Sequence, residues 1–190
     1  MAASSLILGR KSTTYSAPRY NSVCCIYPES NGCEGGEKDD AFDFAQKTGM
    51  VLETDYPYVA LDNPCDTSKH IVFKSTGAGR IPAGNNDALL ERLKIQAIDI
   101  GINAAPFNFR FFMGGVLISG CTYTEIDHDV LLLGTDVDPT FKNTPYWNIK
   151  NSWGRNWGDN GYIRILRESG TKPALCGMNM DAGFPLYGNI

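Results

Sequence analysis

What most narrows the fold is the order of apolar periodicities along the chain, because helical patterns come first and strand-like segments follow. Residues Glu37 to Lys47 place Ala41, Phe44 and Ala45 at helical spacing behind a Gly35-Gly36 turn, with Gly49 as a stop. Asn86 or Asp87 can cap a second helix running to about Gln96, with Ala88, Leu89, Leu90 and Leu93 on its apolar face. Five short segments enriched in β-branched and aromatic residues come next: Ile98 to Ile102, Gly115 to Ile118, Val130 to Leu133, Tyr146 to Lys150 and Gly161 to Leu166. That order predicts a segregated α+β protein with an antiparallel sheet or barrel, not a repeating βαβ unit. Tyr56 to Cys65 has the Pro, Asn and Asp content of a surface loop, and residues 1–20 show no periodicity and read as poorly ordered.

Composition removes several function classes. With 190 residues and 43% hydrophobic content the chain can bury one respectable core or two small ones. Seventeen basic against twenty-one acidic side chains give a net charge of −4, without the run of Lys or Arg that grips phosphates, so nucleic acid is not an expected partner. No apolar stretch is long enough to span a membrane, and Leu6-Ile7-Leu8 is too short for the core of a signal peptide. The six cysteines form neither a CxxC nor a CxxH pair, which predicts disulfides in an oxidising compartment and no metal or other cofactor.

The chemistry centres on His128. Asp127 precedes it, the apolar run Val130 to Leu133 follows, and Asn151-Ser152-Trp153-Gly154 stands downstream. An imidazole oriented by an amide is how a cysteine peptidase holds its base. A lone histidine is more often a surface or core residue, an Asn-Ser pair a turn, and a Trp a core aromatic, so the combination carries more weight than any member.

These blocks resemble the histidine and asparagine motifs of the papain-like cysteine peptidases, and further matches keep the same order. Asn31-Gly32-Cys33-Glu34-Gly35-Gly36 is similar to that family's GCxGG block and Thr54 to Tyr58 to its YPY element. Met113-Gly114-Gly115-Val116 resembles the segment before the histidine strand, Asn151 to Arg164 the family's longest signature, and Cys176-Gly177-Met178 its final cysteine block. The resemblance covers roughly residues 21–190. It implies a two-domain fold with an active-site cleft: a remnant of the helical domain over 21–95 and a β-barrel domain over 96–190, the helical domain being truncated.

Under the resemblance His128 is the catalytic base, Asn151 the amide that fixes its tautomer, and Trp153 the ring that shields that bond. Gly35 and Gly36 match the pair that holds an extended peptide by strand-like hydrogen bonds. Asp127 flanks the base. Asp129 stands where the family has a small residue, and Asp181 falls at the floor of the main specificity pocket, so the pair favours a basic side chain at the second position before the scissile bond. Cys121 with Cys176, and Cys65 with Cys24 or Cys25, correspond to the family's bridges, which leaves Cys33 without its usual partner.

The family's C-G-[SA]-C-[WY] nucleophile block lies roughly 130 to 150 residues before the His and Asn, and no such block occurs in this sequence. Cys24 and Cys25 are poor substitutes, with no helix start after them and no cation nearer than Arg19 to lower a thiol pKa. The expectation is a cysteine endopeptidase fragment, inactive as written, monomeric, built to take an extended peptide or protein substrate in a lysosomal, vacuolar or secreted setting. The alternative is a non-catalytic relative that binds peptides as a decoy.

Overall fold

The computed structural model describes residues 35–57 and 64–186. The reading of residues 1–20, and Cys24, Cys25, Cys33 and Tyr58, lie outside the described residues. Contacts divide the chain into two units, one built from residues up to Arg80 together with those from Gly183 onward, the other from Ile81 to Ala182.

In the first unit, helix α1 spans Lys38–Lys47 behind Glu37 at its N-cap. Asp39 and Asp40 in the first turn and Lys47 in the last oppose the helix dipole, as a short solvent-facing helix requires. Phe42, Phe44 and Ala45 are its buried apolar residues. Phe44 and Ala45 join Met50, Val51 and Tyr56 in a small core, with Cys65, Ile71 and Phe73 packed against it. Gly49 ends the helix at φ +99°, where a Cβ would sit 2.8 Å from the Phe73 carbonyl oxygen, so the stop needs glycine. Strand β1, Gly77–Ile81, lies beside β6, Ala182–Leu186. Gly79 leaves room there for the Phe184 ring, which an added Cβ would strike.

The second unit is organised by an antiparallel sheet in the order β2-β3-β4-β5: Ile98–Ile102, His128–Asp138, Thr144–Lys150 and Tyr162–Leu166. Alternation is clean in the last two strands, where Trp147, Ile149, Ile163 and Ile165 are fully buried between half-buried neighbours. Strand β2 is buried along its whole length and β3 over Val130 to Leu132, which places them at the centre of the core. Helix α2, Asn86–Leu93, contributes Leu89; the short helix α3, Phe107–Arg110, contributes Phe109; a 3-10 turn covers Leu175–Gly177.

Three local readings are corrected. The cap of α2 is Asn85, whose side chain accepts from the Ala88 N–H at 2.9 Å, and the helix ends at Leu93 instead of Gln96. Gly115 to Ile118 is not a strand. Gly114 and Gly115 take φ of +141° and +81°, and only Leu117 pairs, by an isolated parallel bridge to Ile165. The histidine strand is longer than Val130 to Leu133, because a register shift between Leu132 and Gly134 lets it continue along β4 to Asp138.

Candidate active site

His128 opens β3 directly opposite Ile102 at the end of β2. Its side chain is 6% exposed. Asn151, equally buried, follows the last residue of β4, and its backbone N–H donates to the Gly161 carbonyl at 2.9 Å. The side-chain oxygen Oδ1 of Asn151 lies 2.8 Å from His128 Nε2 and accepts the Ser152 N–H at 2.7 Å. The second contact identifies that atom as the carbonyl oxygen, since an amide nitrogen could not accept it. Nε2 must then carry the proton and donate, so in the neutral ring the lone pair sits on Nδ1.

Trp153 stacks on the imidazole, with ring centroids 5.1 Å apart and planes at 29°. Phe109 meets Trp153 edge-on at 5.6 Å, and Trp157 packs against both rings while its Nε1 donates to the Arg110 carbonyl at 2.9 Å. The Nε2 to Oδ1 bond is therefore roofed by aromatic surface that α3 and the Asn151 to Arg164 segment supply together. That segment needs its glycines: at Gly158, φ +60°, a Cβ would stand 2.5 Å from the Tyr162 carbonyl oxygen.

Burial draws the His128 pKa below its ordinary value, against the hydrogen bond to Asn151 and the negative charges of Asp129 and Asp127, which pull the other way. The folded state thus binds fewer protons than the unfolded chain over the window between its lowered pKa and the usual histidine value near 6.5. Stability is full above that value and is lost as pH falls through the window. Acid titration followed by chemical denaturation should show this loss, and His128→Gln should remove that component. A parent and variant with parallel pH profiles would contradict it.

The structure brings His128, Asn151 and Trp153 together. Asp127, though exposed, is engaged: its Oδ1 accepts the Ala104 N–H at 2.7 Å and its N–H donates to the Ile102 carbonyl. Asp129 and Asp181 are half-buried and lie on either side of Gly101, which is the register partner of Asp129 and donates its N–H to the Asp181 carbonyl at 2.7 Å. Gly35, at φ +114°, and the exposed Gly36 belong to the other unit, immediately before α1. Cys121 and Cys176 form a disulfide, and Cys65 is disulfide-bonded as well. No group of three or more His, Cys, Asp or Glu among the described residues could hold a metal ion. Sequence reasoning missed Phe109, Trp157 and the brace formed by Ile102 and Ala104. The aromatic density of Phe107 to Phe112 was the available signal for the first.

A family profile described as papain family cysteine protease matches residues 2–186. The chain belongs to that family. Among relatives of this papain-like chain, vignain from Ricinus communis is 38% identical over 167 residues, covering 86% of this chain and 46% of its own length. A senescence-specific cysteine protease from Oryza sativa is 35% identical over 163 residues, 85% of this chain and 47% of the relative. The chain thus spans about half the length of the curated relatives it matches. Among solved structures, a Carica candamarcensis cysteine protease in complex with E-64 superposes with TM-score 0.82 at 34% identity, covering 94% of this chain and 80% of that one. Bromelain from Ananas comosus, also complexed with E64, gives 0.82 at 29% identity, with 91% and 78% covered. The papain-like α+β fold expected from the motifs is therefore the fold of this chain.

Proposed function

We propose that the chain is the base-carrying part of a papain-type cysteine endopeptidase, with His128 as general acid and base and Asn151 as the group that orients it. One observation carries this reading: Nε2 is committed to Asn151 under Trp153, which leaves Nδ1 as the basic atom that a thiol must face. In the reaction, a thiolate attacks the scissile carbonyl, His128 protonates the leaving amine, and the same nitrogen then activates water to release the acyl group. Burial lowers the pKa of the isolated imidazole, whereas a thiolate beside Nδ1 would favour the imidazolium.

The sequence contains no C-G-[SA]-C-[WY] block, and the reading is that these residues alone do not turn over peptide. The first unit carries what this chain retains of the helical domain, and the second, Ile81 to Ala182, is the barrel domain. Gly35 and Gly36 bind the substrate main chain, Trp153 and Asp127 border the reacting centre, and the protein acts as a monomer in a lysosomal, vacuolar or extracellular setting compatible with its disulfides. Asp129 and Asp181, whose backbones flank Gly101 in the sheet, are the acidic pair that would receive Arg or Lys. The test is competition binding with matched peptides. Arg at the second position before the scissile bond should outcompete Leu by roughly tenfold, an advantage worth about 1.4 kcal/mol, and Asp181→Ser should erase it. A preference for Leu would contradict the pocket assignment.

A further inference from the structure

We propose that Asn103 is a positioning residue for the His128 imidazole, fixing the segment from Cys121 to Asp127 that delivers the histidine to the end of β2. The inference rests on the reading of His128 as the base. Asn103 follows β2 and is 1% exposed. Its Nδ2 donates to Thr122 Oγ1 at 2.9 Å and its backbone N–H to the Cys176 carbonyl at 2.8 Å. The residues on either side grip the far end of the same segment: Ile102 accepts the Asp127 N–H, and the Ala104 N–H donates to the Asp127 carboxylate. Three consecutive residues therefore hold both ends of the connection, Thr122 beside the disulfide and Asp127 beside the base.

Two independent features point to a geometry that is imposed and not merely packed. Oδ1 of Asn103 is buried without a partner among the described residues, a cost that an apolar residue of similar size would avoid. Cys176, which accepts from Asn103, lies in the left-handed region at φ +58°, where a non-glycine residue persists only if its surroundings hold it. Its surroundings here are the bridge to Cys121 and the Asn103 N–H. The next residue, Gly177 at φ +71°, lets the segment approach closely: a Cβ there would stand 3.0 Å from the Tyr123 carbonyl and 2.5 Å from Ile126 Cδ1. The segment is thus clamped from several sides, and among the described residues Asn103 ties its start both to β2 and to the Cys176 turn.

The experiment follows the His128 Nε2–H by nitrogen-15 NMR in the whole chain, measuring its solvent exchange and the ring tautomer, neither of which requires turnover. Asn103→Ala and Thr122→Val should each speed Nε2–H exchange by about tenfold, the loosening expected when one hydrogen bond of the clamp is lost. Thr122→Ser, which keeps the hydroxyl, should retain the parental rate, and the double variant should add nothing to either single change. Lowered thermal stability with unchanged exchange and tautomer in both variants would reduce Asn103 to a structural role and overturn the proposal. If Asn103→Ala does not fold, the exposed Thr122 carries the test alone. A parental chain whose Nε2–H exchanges freely would instead contradict the reading of His128 as an oriented base, so the two failures are distinguishable.

Discussion

Extended at its amino end by a segment carrying a C-G-[SA]-C-[WY] block, the protein should hydrolyse fluorogenic peptides, whereas the 190 residues alone should not. In the extended protein His128→Ala should lower kcat/KM by about 10²–10⁴, the range that a positioned proton-transfer group contributes. Asn151→Ala should fall short of that, because the imidazole remains and only its tautomer and orientation are released. The ordering follows from the geometry. Nε2 is bonded to Asn151 Oδ1 at 2.8 Å, and Nδ1 is what a neutral ring has left for a thiol. Turnover by the unextended chain, abolished by a thiol reagent, would show that a cysteine already present can serve, and would overturn the account of the missing nucleophile.

Trp147→Ala should be the most damaging core substitution in the second unit, at about 3–5 kcal/mol. Trp147 is fully buried in β4, registered against Thr135 on β3 and Ile165 on β5, and the Arg167 guanidinium lies over its ring at 5.8 Å. Removing it leaves a large void in a sheet whose neighbouring strands cannot close without breaking register. Against a total stability of about 5–15 kcal/mol such a loss approaches unfolding. Urea denaturation should show a midpoint shifted far to lower concentration with the slope preserved. A shift smaller than that of a surface substitution would mean that the sheet repacks and that this core is less tightly specified than its burial implies.

How much the sequence disclosed depends on whether the signal was local. His128, Asn151 and Trp153 are legible because short local motifs flank one hairpin, and the hairpin itself brings them together. Strand β2 was read at its true bounds since Ile98 to Ile102 has strand propensity and is buried throughout. Strands β1 and β6 carry no such signal: GAGRI has two Gly and AGFPL has Gly and Pro, so their strand character comes from pairing and not from propensity. Gly115 to Ile118 failed in the opposite way, because apolar residues at Val116, Leu117 and Ile118 suggested a strand that two positive-φ glycines do not allow. The role of Asn103 was invisible, since its partners Thr122 and Cys176 are distant in sequence and no pattern around the residue marks it. Asn85 was overlooked as a cap because Asn86 and Asp87 beside it compete for the same assignment, and only the bond to Ala88 decides.

Asp129 and Asp181 are far apart in sequence, yet β2 places Gly101 between them. Under the proposed acidic site, Asp181→Ser should weaken the binding of Arg peptides and leave Leu peptides unchanged.

This chain holds an imidazole already set in one tautomer, with its basic nitrogen turned away from Asn151. Nitrogen-15 NMR of the histidine side chains at neutral pH tests it most directly. His128 should carry its proton on Nε2, show a protected Nε2–H resonance, and lose that resonance in Asn151→Ala. A His128 ring protonated on Nδ1, or one averaging between tautomers as a free surface histidine does, would contradict it.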